Sequence, residues 1–225
     1  MSWFYRLECT KPLSKPEDLT GTLIDMVQHI CFWKHQLWRQ SYKPQNPMLL
    51  DPNTASPKLI VSEDLTALSH TEEEEQKRPD NPERLHIGVL GSKGFTTGLH
   101  CWDVDVGDND SWALGVVKQS AQNKRGKAMQ LEDDLWSIYY MDGKYCAGTT
   151  AWTELTVDQQ PRIIRISLNC ERGELSFLDL DAIAPLYTFT NVSKEALFPY
   201  FNTTSSICPL RLCFPKHACD LIAND

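Results

Sequence analysis

Four aspartates lie close together in one stretch of the chain, and carboxylates at such a spacing could bind a metal ion. Asp103, Asp105, Asp108 and Asp110 together offer enough carboxylate oxygens to suggest a calcium loop. The bidentate glutamate that completes such a loop is missing at its expected distance. The alternation over residues 102–106 also places the first two aspartates on the wet face of a strand, apart from the turn. We therefore interpret this acidic run as a strand and its turn, not as a metal site.

The other titratable and nucleophilic residues form no familiar catalytic pattern. The sequence contains no G-x-S-x-G, H-E-x-x-H, Walker A or G-x-G-x-x-G motif. Its six histidines, at positions 29, 35, 70, 86, 100 and 217, show no spacing typical of metal ligands. We therefore predict no enzyme activity, no metal and no cofactor, and an unrecognised hydrolase is the weakest of the competing functions.

The charge and hydropathy of the chain argue against two classes of partner. A formal net charge of -8 opposes nucleic acid phosphates and anionic lipid surfaces, which attract clustered cations. The most apolar early stretch, residues 19–37, contains Asp25 and Lys34 and does not predict a membrane span. Eight cysteines without a C-x-x-C pair favour reduced thiols. We expect a soluble cytoplasmic protein that binds neither nucleic acid nor membrane.

Residues 89–117 carry the clearest strand pattern and must position these side chains. Residues 102–106 alternate between apolar and acidic, which predicts a strand with one buried face. Residues 107–111 turn the chain. Residues 112–117 have no polar side, which predicts a strand covered on both faces in the middle of a sandwich. Because Trp102 and Trp112 bracket one turn, we predict a β-hairpin at the core of an all-β domain.

The first 46 residues carry a different signal from the rest of the chain. A helix start at residues 14–17 and apolar residues at helical spacing from Leu19 to Ile30 predict a helical segment. This helix either packs on the domain that follows or docks another chain, so a dimer through it is an alternative. We divide the chain into an N-terminal helical segment or linker (1–46), a β domain (47–217) and a tail (218–225).

Within the β domain, short strands and turn signals recur at the spacing of a β-sandwich. Residues 70–86 include four successive glutamates and two prolines, which predicts a surface loop, either a solvated tip or an acidic recognition element. In the strand 135–141, Tyr139 and Met141 lie on the face opposite Trp136. An aromatic beside a methionine suits an adaptable protein-binding pocket and, equally, a covered core.

Many short motifs occur in a fixed order along the chain: Leu50-Asp51-Pro52, Val89-Leu90-Gly91, Gly94 to Gly98 with His100, Trp102 to Gly107, Leu114-Gly115-Val116, Trp136-Ser137-Ile138, Leu168 to Glu171 and Phe198 to Phe201. This is the order of the PRY-SPRY, or B30.2, domain, and the chain resembles that family over about residues 47 to 216. The chain looks most like the C-terminal domain of tripartite-motif ubiquitin ligases. It has none of the RING, B-box or coiled-coil spacings that precede the domain in those proteins.

The resemblance implies a bent two-sheet antiparallel β-sandwich whose variable loops bind partner proteins. It further implies substrate recognition for a tripartite-motif type E3 ubiquitin ligase, in the setting of innate immune regulation; a full-length relative would be a RING-type ubiquitin transferase. The alternative is a butyrophilin-type sensor of small phosphorylated anions, which would need Arg, Lys and His clustered around Tyr139. Carried over by position, the partner-contacting places are loop 70–86, Ala113, Tyr139, Met141 and the run 201–205, in which Phe201, Asn202 and Thr203 are the candidate contact residues.

Overall fold

The chain forms two antiparallel sheets in a computed structural model that describes residues 48–72, 84–122, 134–148 and 153–213. The predicted N-terminal helix, the tail and most of the acidic loop lie outside these residues. Strands dominate the described ranges, and the all-β sandwich predicted from the sequence is confirmed. No helix within these ranges is long and apolar enough to cross a bilayer.

Within the described ranges, each sheet contains seven strands, which are numbered along the chain but lie in a different order in space. From edge to edge, sheet A consists of β1 (Leu50–Asp51), β4 (Val89–Gly91), β13 (Leu197–Thr203), β6 (Ser111–Lys118), β7 (Leu135–Met141), β8 (Lys144–Gly148) and β9 (Thr153–Leu155). Sheet B consists of β12 (Ala184–Thr190), β11 (Glu174–Asp179), β10 (Ile163–Asn169), β5 (Leu99–Asp105), β14 (Leu210–Cys213), β3 (Ala67–His70) and β2 (Leu59–Val61). One helical turn, α1 (Gln119–Gln122), follows β6.

The main core lies between the two sheets and is built by alternating side chains. Trp102 and Val104 of β5 and Ile166 of β10 are buried from sheet B, and Trp112 and Leu114 of β6 are buried from sheet A. Burying an aliphatic side chain of this kind contributes roughly 1.5–3 kcal/mol. The alternation predicted for residues 102–106 is confirmed, with Asp103 and Asp105 on the outer side of β5.

The predicted hairpin between β5 and β6 is wrong, because the two strands belong to different sheets. Strand β5 pairs with β10 and β14, whereas β6 pairs with β13 and β7. Residues 106–110 therefore cross from one sheet to the other, and Trp102 and Trp112 enter the same core from opposite sides. Alternation along a strand reports which face is buried but not which strand lies beside it.

A second, smaller apolar cluster covers the outer face of sheet A, defined as the face turned away from sheet B. It includes Ala113 and Val117 of β6, Leu135 of β7, Leu85 of the segment before β4, and Ala121 of α1. Strand β6 consequently has six consecutive buried residues between its two ends. The prediction that residues 112–117 are covered on both faces is confirmed.

Candidate partner-binding site

A straight row of side chains crosses the outer face of sheet A and contains three of the predicted contact residues. Asn202 lies opposite Ala113, Ala113 opposite Tyr139, Tyr139 opposite Cys146, and Cys146 opposite Glu154. Residues directly opposite each other on neighbouring strands project to the same face of a sheet. The pairing register therefore brings together positions that are distant in the sequence. Ala113 is buried, whereas Tyr139 and Asn202 are half-buried.

Met141 extends this surface toward the end of strand β7. It lies opposite Ser111 on one side and Lys144 on the other, and half of its side chain is exposed (51%). Lys144 is itself paired with Glu154, with 3.7 Å between Nζ and Oε1. We call the surface formed by Tyr139, Met141, Ala113 and Asn202 the Tyr139 face.

The ring of Tyr139 lies flat along the sheet because Gly148 leaves room for it. A Cβ atom placed on Gly148 would come within 2.6 Å of Cε2 and 2.8 Å of the hydroxyl of Tyr139. Burial raises the pKa of the Tyr139 phenol, and the nearby Ser137 hydroxyl opposes that shift. The phenol therefore keeps its proton to a higher pH than an exposed tyrosine does.

Tyr200 supports the same face from strand β13 but is itself almost completely buried. Its ring packs against Gly88, where an added Cβ would lie 2.4 Å from Cε2, and its hydroxyl donates a hydrogen bond to the Ile87 carbonyl at 3.4 Å. Burial raises the pKa of Tyr200, and the nearby Tyr139 adds to the effect. Tyr200 thus anchors segment 84–88 against sheet A and leaves Tyr139 as the accessible phenol.

Two of the predicted contact residues, Phe201 and Thr203, face the opposite way from the other four. They flank Asn202 on β13 and therefore point into the interior, where each is only 1% exposed. Phe201 belongs to the main core. Their side chains do not form part of the Tyr139 face. The contact positions implied by the family resemblance form a continuous run of residues, but a strand turns only every second side chain to one face.

Thr203 holds together the loops at the end of sheet A where β6 begins. Its hydroxyl accepts a hydrogen bond from Asn109 Nδ2 at 2.9 Å and from the Ser205 backbone N–H at 3.1 Å, and it donates to the Ser111 carbonyl at 2.8 Å. Asn109 is fully buried, and its Oδ1 accepts the Ser111 N–H at 3.0 Å. Segments 106–110 and 204–209 are therefore fixed to each other and to β6. We call these two segments and the β7–β8 turn at 142–143 the rim.

The rim also carries an exposed apolar residue that sequence reasoning missed. Ile207 is 68% exposed in segment 204–209, and its backbone N–H donates to Ser205 Oγ at 3.2 Å. The sequence feature that could have indicated its exposure is a single isoleucine among Ser, Cys and Pro, in a segment without strand alternation. Of the acidic loop 70–86, residues 73–83 lie outside the described ranges, so its predicted role stays a prediction.

The four aspartates between residues 103 and 110 have separate roles. Asp103 forms a bidentate ion pair with Arg165, in which Oδ1 lies 2.6 Å from Nε and Oδ2 lies 2.7 Å from Nη2. Asp105 pairs with Arg162 at 3.6 Å. Only Asp108 and Asp110 belong to the rim. The interpretation of Asp103 and Asp105 as strand residues is confirmed.

In the described residues, two seven-stranded antiparallel sheets, with the Tyr139 face on the outer side of one of them, define the class as a PRY-SPRY sandwich. Models of known families agree: residues 48–95 match the SPRY-associated domain, and residues 99–217 match the SPRY domain. The chain therefore belongs to the SPRY domain family, whose members are protein-interaction modules. The family resemblance noted in the sequence is confirmed.

The relatives of this chain include a nuclear factor and a butyrophilin. The chain is 35% identical over 185 residues to nuclear factor 7, ovary, of Xenopus laevis, covering 81% of this chain and 30% of that protein. It is 34% identical over 182 residues to human butyrophilin subfamily 1 member A1, covering 77% of this chain and 34% of that protein. The chain thus spans about a third of the length of these relatives.

Solved structures show the same fold at lower sequence identity. The crystal structure of the TRIM65 PSpry domain superposes with a TM-score of 0.67 at 22% identity, covering 81% of this chain and 96% of that one. The stonustoxin structure gives a TM-score of 0.64 at 22% identity, covering 74% of this chain and 28% of that one. These likenesses establish the sandwich architecture.

Proposed function

We propose that this chain is a partner-recognition domain that binds a protein through the Tyr139 face. The observation that carries the proposal is the register of sheet A, which aligns a half-buried tyrosine, an exposed methionine and a half-buried asparagine on one rigid surface. Tyrosine and methionine are enriched at protein interfaces because they offer a large contact area and a hydrogen-bonding or adaptable end.

In the cell, the proposed role is substrate recognition for a tripartite-motif type E3 ubiquitin ligase. The relation to nuclear factor 7 and the shared fold with the TRIM65 domain support this role, and the resemblance noted in the sequence motivates its extension to innate immune regulation. We place the chain in the cytoplasm and its partner among proteins, since a net charge of -8 disfavours nucleic acid. A dimer through the N-terminal helix remains part of the proposal.

The competing proposal, a sensor of small phosphorylated anions, has the relation to butyrophilin in its favour. It requires cationic side chains that converge on one pocket. Among the described neighbours of Tyr139 in its row and beside its ring, the side chains of Ala113, Asn202, Cys146 and Ser137 are neutral. Lys144, near by, is paired with Glu154. Arg84 and His86 lie in segment 84–88, which Tyr200 holds against the same face, and the Arg84 guanidinium donates to the Ala55 carbonyl at 3.0 Å. The neutral row around Tyr139 therefore favours a protein partner.

Quantitative affinity purification from cytosol would test the proposed function. The chain would be immobilised as wild type, as a Tyr139→Ala, Met141→Ala site variant and as a matched Ile60→Ala, Leu99→Ala control that removes exposed apolar side chains from sheet B. We expect a set of proteins that wild type and control retain and the site variant loses, and among them proteins that become ubiquitinated when a RING domain is fused to the chain. Equal recovery on all three would refute the Tyr139 face as the contact surface.

A further inference from the structure

We infer that the partner of the Tyr139 face presents an apolar anchor flanked by basic residues. This inference rests on the proposed function and specifies the chemistry of the partner. The supporting observation is the structure of the rim. There, exposed apolar side chains lie beside carboxylates that form no ion pair among the described residues.

The apolar part of this surface is formed by two exposed side chains at the end of sheet A where β6 begins. Met141 is the cross-strand neighbour of Ser111. Ile207 lies in segment 204–209, which is tied to Ser111 at Thr204 by a backbone hydrogen bond of 3.1 Å and by hydroxyl groups 2.6 Å apart. Met141 is 51% exposed and Ile207 is 68% exposed. Exposed apolar side chains at one edge, next to a half-buried tyrosine, mark a surface suited to burial against another protein.

The charged part consists of three exposed aspartates around these side chains. Asp108 and Asp110 lie on segment 106–110, and Asp142 directly follows Met141 in the β7–β8 turn. Of the described cations near this end, Lys144 pairs with Glu154 at 3.7 Å and Arg162 with Asp105 at 3.6 Å, whereas Arg211 lies opposite Asp105 on the outer face of sheet B. Within the described residues, the rim segments themselves contain no Lys, Arg or His. The rim therefore presents uncompensated negative charge beside its apolar residues.

The carboxylates of segment 106–110 are held in place rather than spread over a loose loop. Asn109, between Asp108 and Asp110, is buried and donates to Thr203 Oγ1 and to the Cys208 carbonyl. A rigid arrangement of like charges favours a partner of complementary charge, because little ordering is needed on binding. Exposed charges of this kind act mainly on the association rate and its salt dependence, whereas the apolar centre supplies most of the affinity.

The test uses random peptides displayed on phage and selected on the full chain, with the site variant Tyr139→Ala, Met141→Ala as the counter-selection. Synthetic peptides that depend on the site are then titrated by fluorescence anisotropy at low and high salt. The rim variant carries Asp108→Asn, Asp110→Asn and Asp142→Asn; asparagine suits position 142, whose φ is 53°. The control removes the same charge at the far end of the sandwich through Glu171→Gln, Glu174→Gln and Glu195→Gln.

We expect site-dependent peptides to carry Lys or Arg within a few residues of an apolar side chain. Their affinity should fall about tenfold on the rim variant, through slower association, and stay unchanged on the control. Site-dependent peptides that are neutral or acidic, or that bind the rim variant as tightly as wild type, would overturn the inference and leave the proposed function intact. Peptides that bind the site variant and wild type equally would overturn both.

Discussion

Asn109 and Thr203 are 94 residues apart in the sequence, yet Asn109 Nδ2 donates a hydrogen bond to Thr203 Oγ1 at 2.9 Å. Both side chains are buried, and each supplies a hydrogen-bond partner that water would otherwise provide. The pair joins the segment that crosses between the sheets to the segment that leaves β13. The shape of the rim is therefore set by residues that are themselves buried.

Replacing Thr203 by valine should destabilise the domain by about 1–3 kcal/mol. Valine keeps the shape of threonine but leaves Asn109 Nδ2 and the Ser205 N–H without this hydrogen-bond acceptor. Thr203→Ser keeps the hydroxyl and should cost less. Urea denaturation measures the free energy of unfolding of both variants. A valine variant as stable as wild type would show that the hydroxyl is dispensable.

Tyr139→Ala should weaken partner binding with a far smaller loss of stability than Trp112→Ala. Trp112 is 3% exposed in the main core, and its truncation should cost about 3–5 kcal/mol. Tyr139 is half-buried on the outer face, where water can replace part of its contacts. Differential scanning calorimetry of the two variants compares their melting temperatures. Equal decreases would mean that Tyr139 is a core residue.

Gly148→Ala should weaken partner binding by displacing the ring of Tyr139. The added Cβ would lie 2.6 Å from the ring, closer than real contacts allow, and the ring must swing away from the sheet. The backbone at position 148 is outside the left-handed region, so alanine itself introduces no strain there. In the background of Tyr139→Ala the same substitution should have little effect on binding. Additive losses in this double-mutant cycle would exclude the ring as the link.

The stability of the domain should fall as the pH rises above about 10, and Tyr200 should contribute to the fall. Burial raises the pKa of this phenol in the folded state, so the unfolded chain loses its proton first. Its contribution is complete below the ordinary phenol pKa of about 10 and is lost as the pH rises through the higher folded pKa. Tyr200→Phe should reduce the slope by up to about 1.4 kcal/mol per pH unit. Unfolding titrations from pH 9 to about 12 would measure it, and an unchanged slope would contradict the assignment.

The sequence was sufficient to predict the strands and their buried faces, because burial imposes a period of two on each strand. Ile164, Ile166 and Leu168 alternate along β10 and are all completely buried. Which strands pair with each other could not be predicted from the sequence in the same way. Whether β5 lies beside β6 or across from it depends on contacts with β13 and β10, which no local pattern encodes.

The candidate site was predicted in part for the same reason. Tyr139 and Met141 share one face of one strand, and a single stretch of sequence shows this. Asn202 joins them only through the register of β13 with β6, and Phe201 and Thr203 turn away by the same register. Asn109 gave no signal beyond that of a turn residue, because its role consists of hydrogen bonds to residues far along the chain.

The position of β13 between β4 and β6 has a consequence for the order in which the chain can fold. Until residues 197–203 have left the ribosome, sheet A can exist only as two separate pieces, β1 with β4 and β6 with β7, β8 and β9. Each piece then carries an unpaired strand edge, which is prone to pair with other chains. Nascent chains that stall before Leu197 should therefore depend on chaperones, and folding should be slow for a domain of this size, as is typical of sheets closed by distant strands.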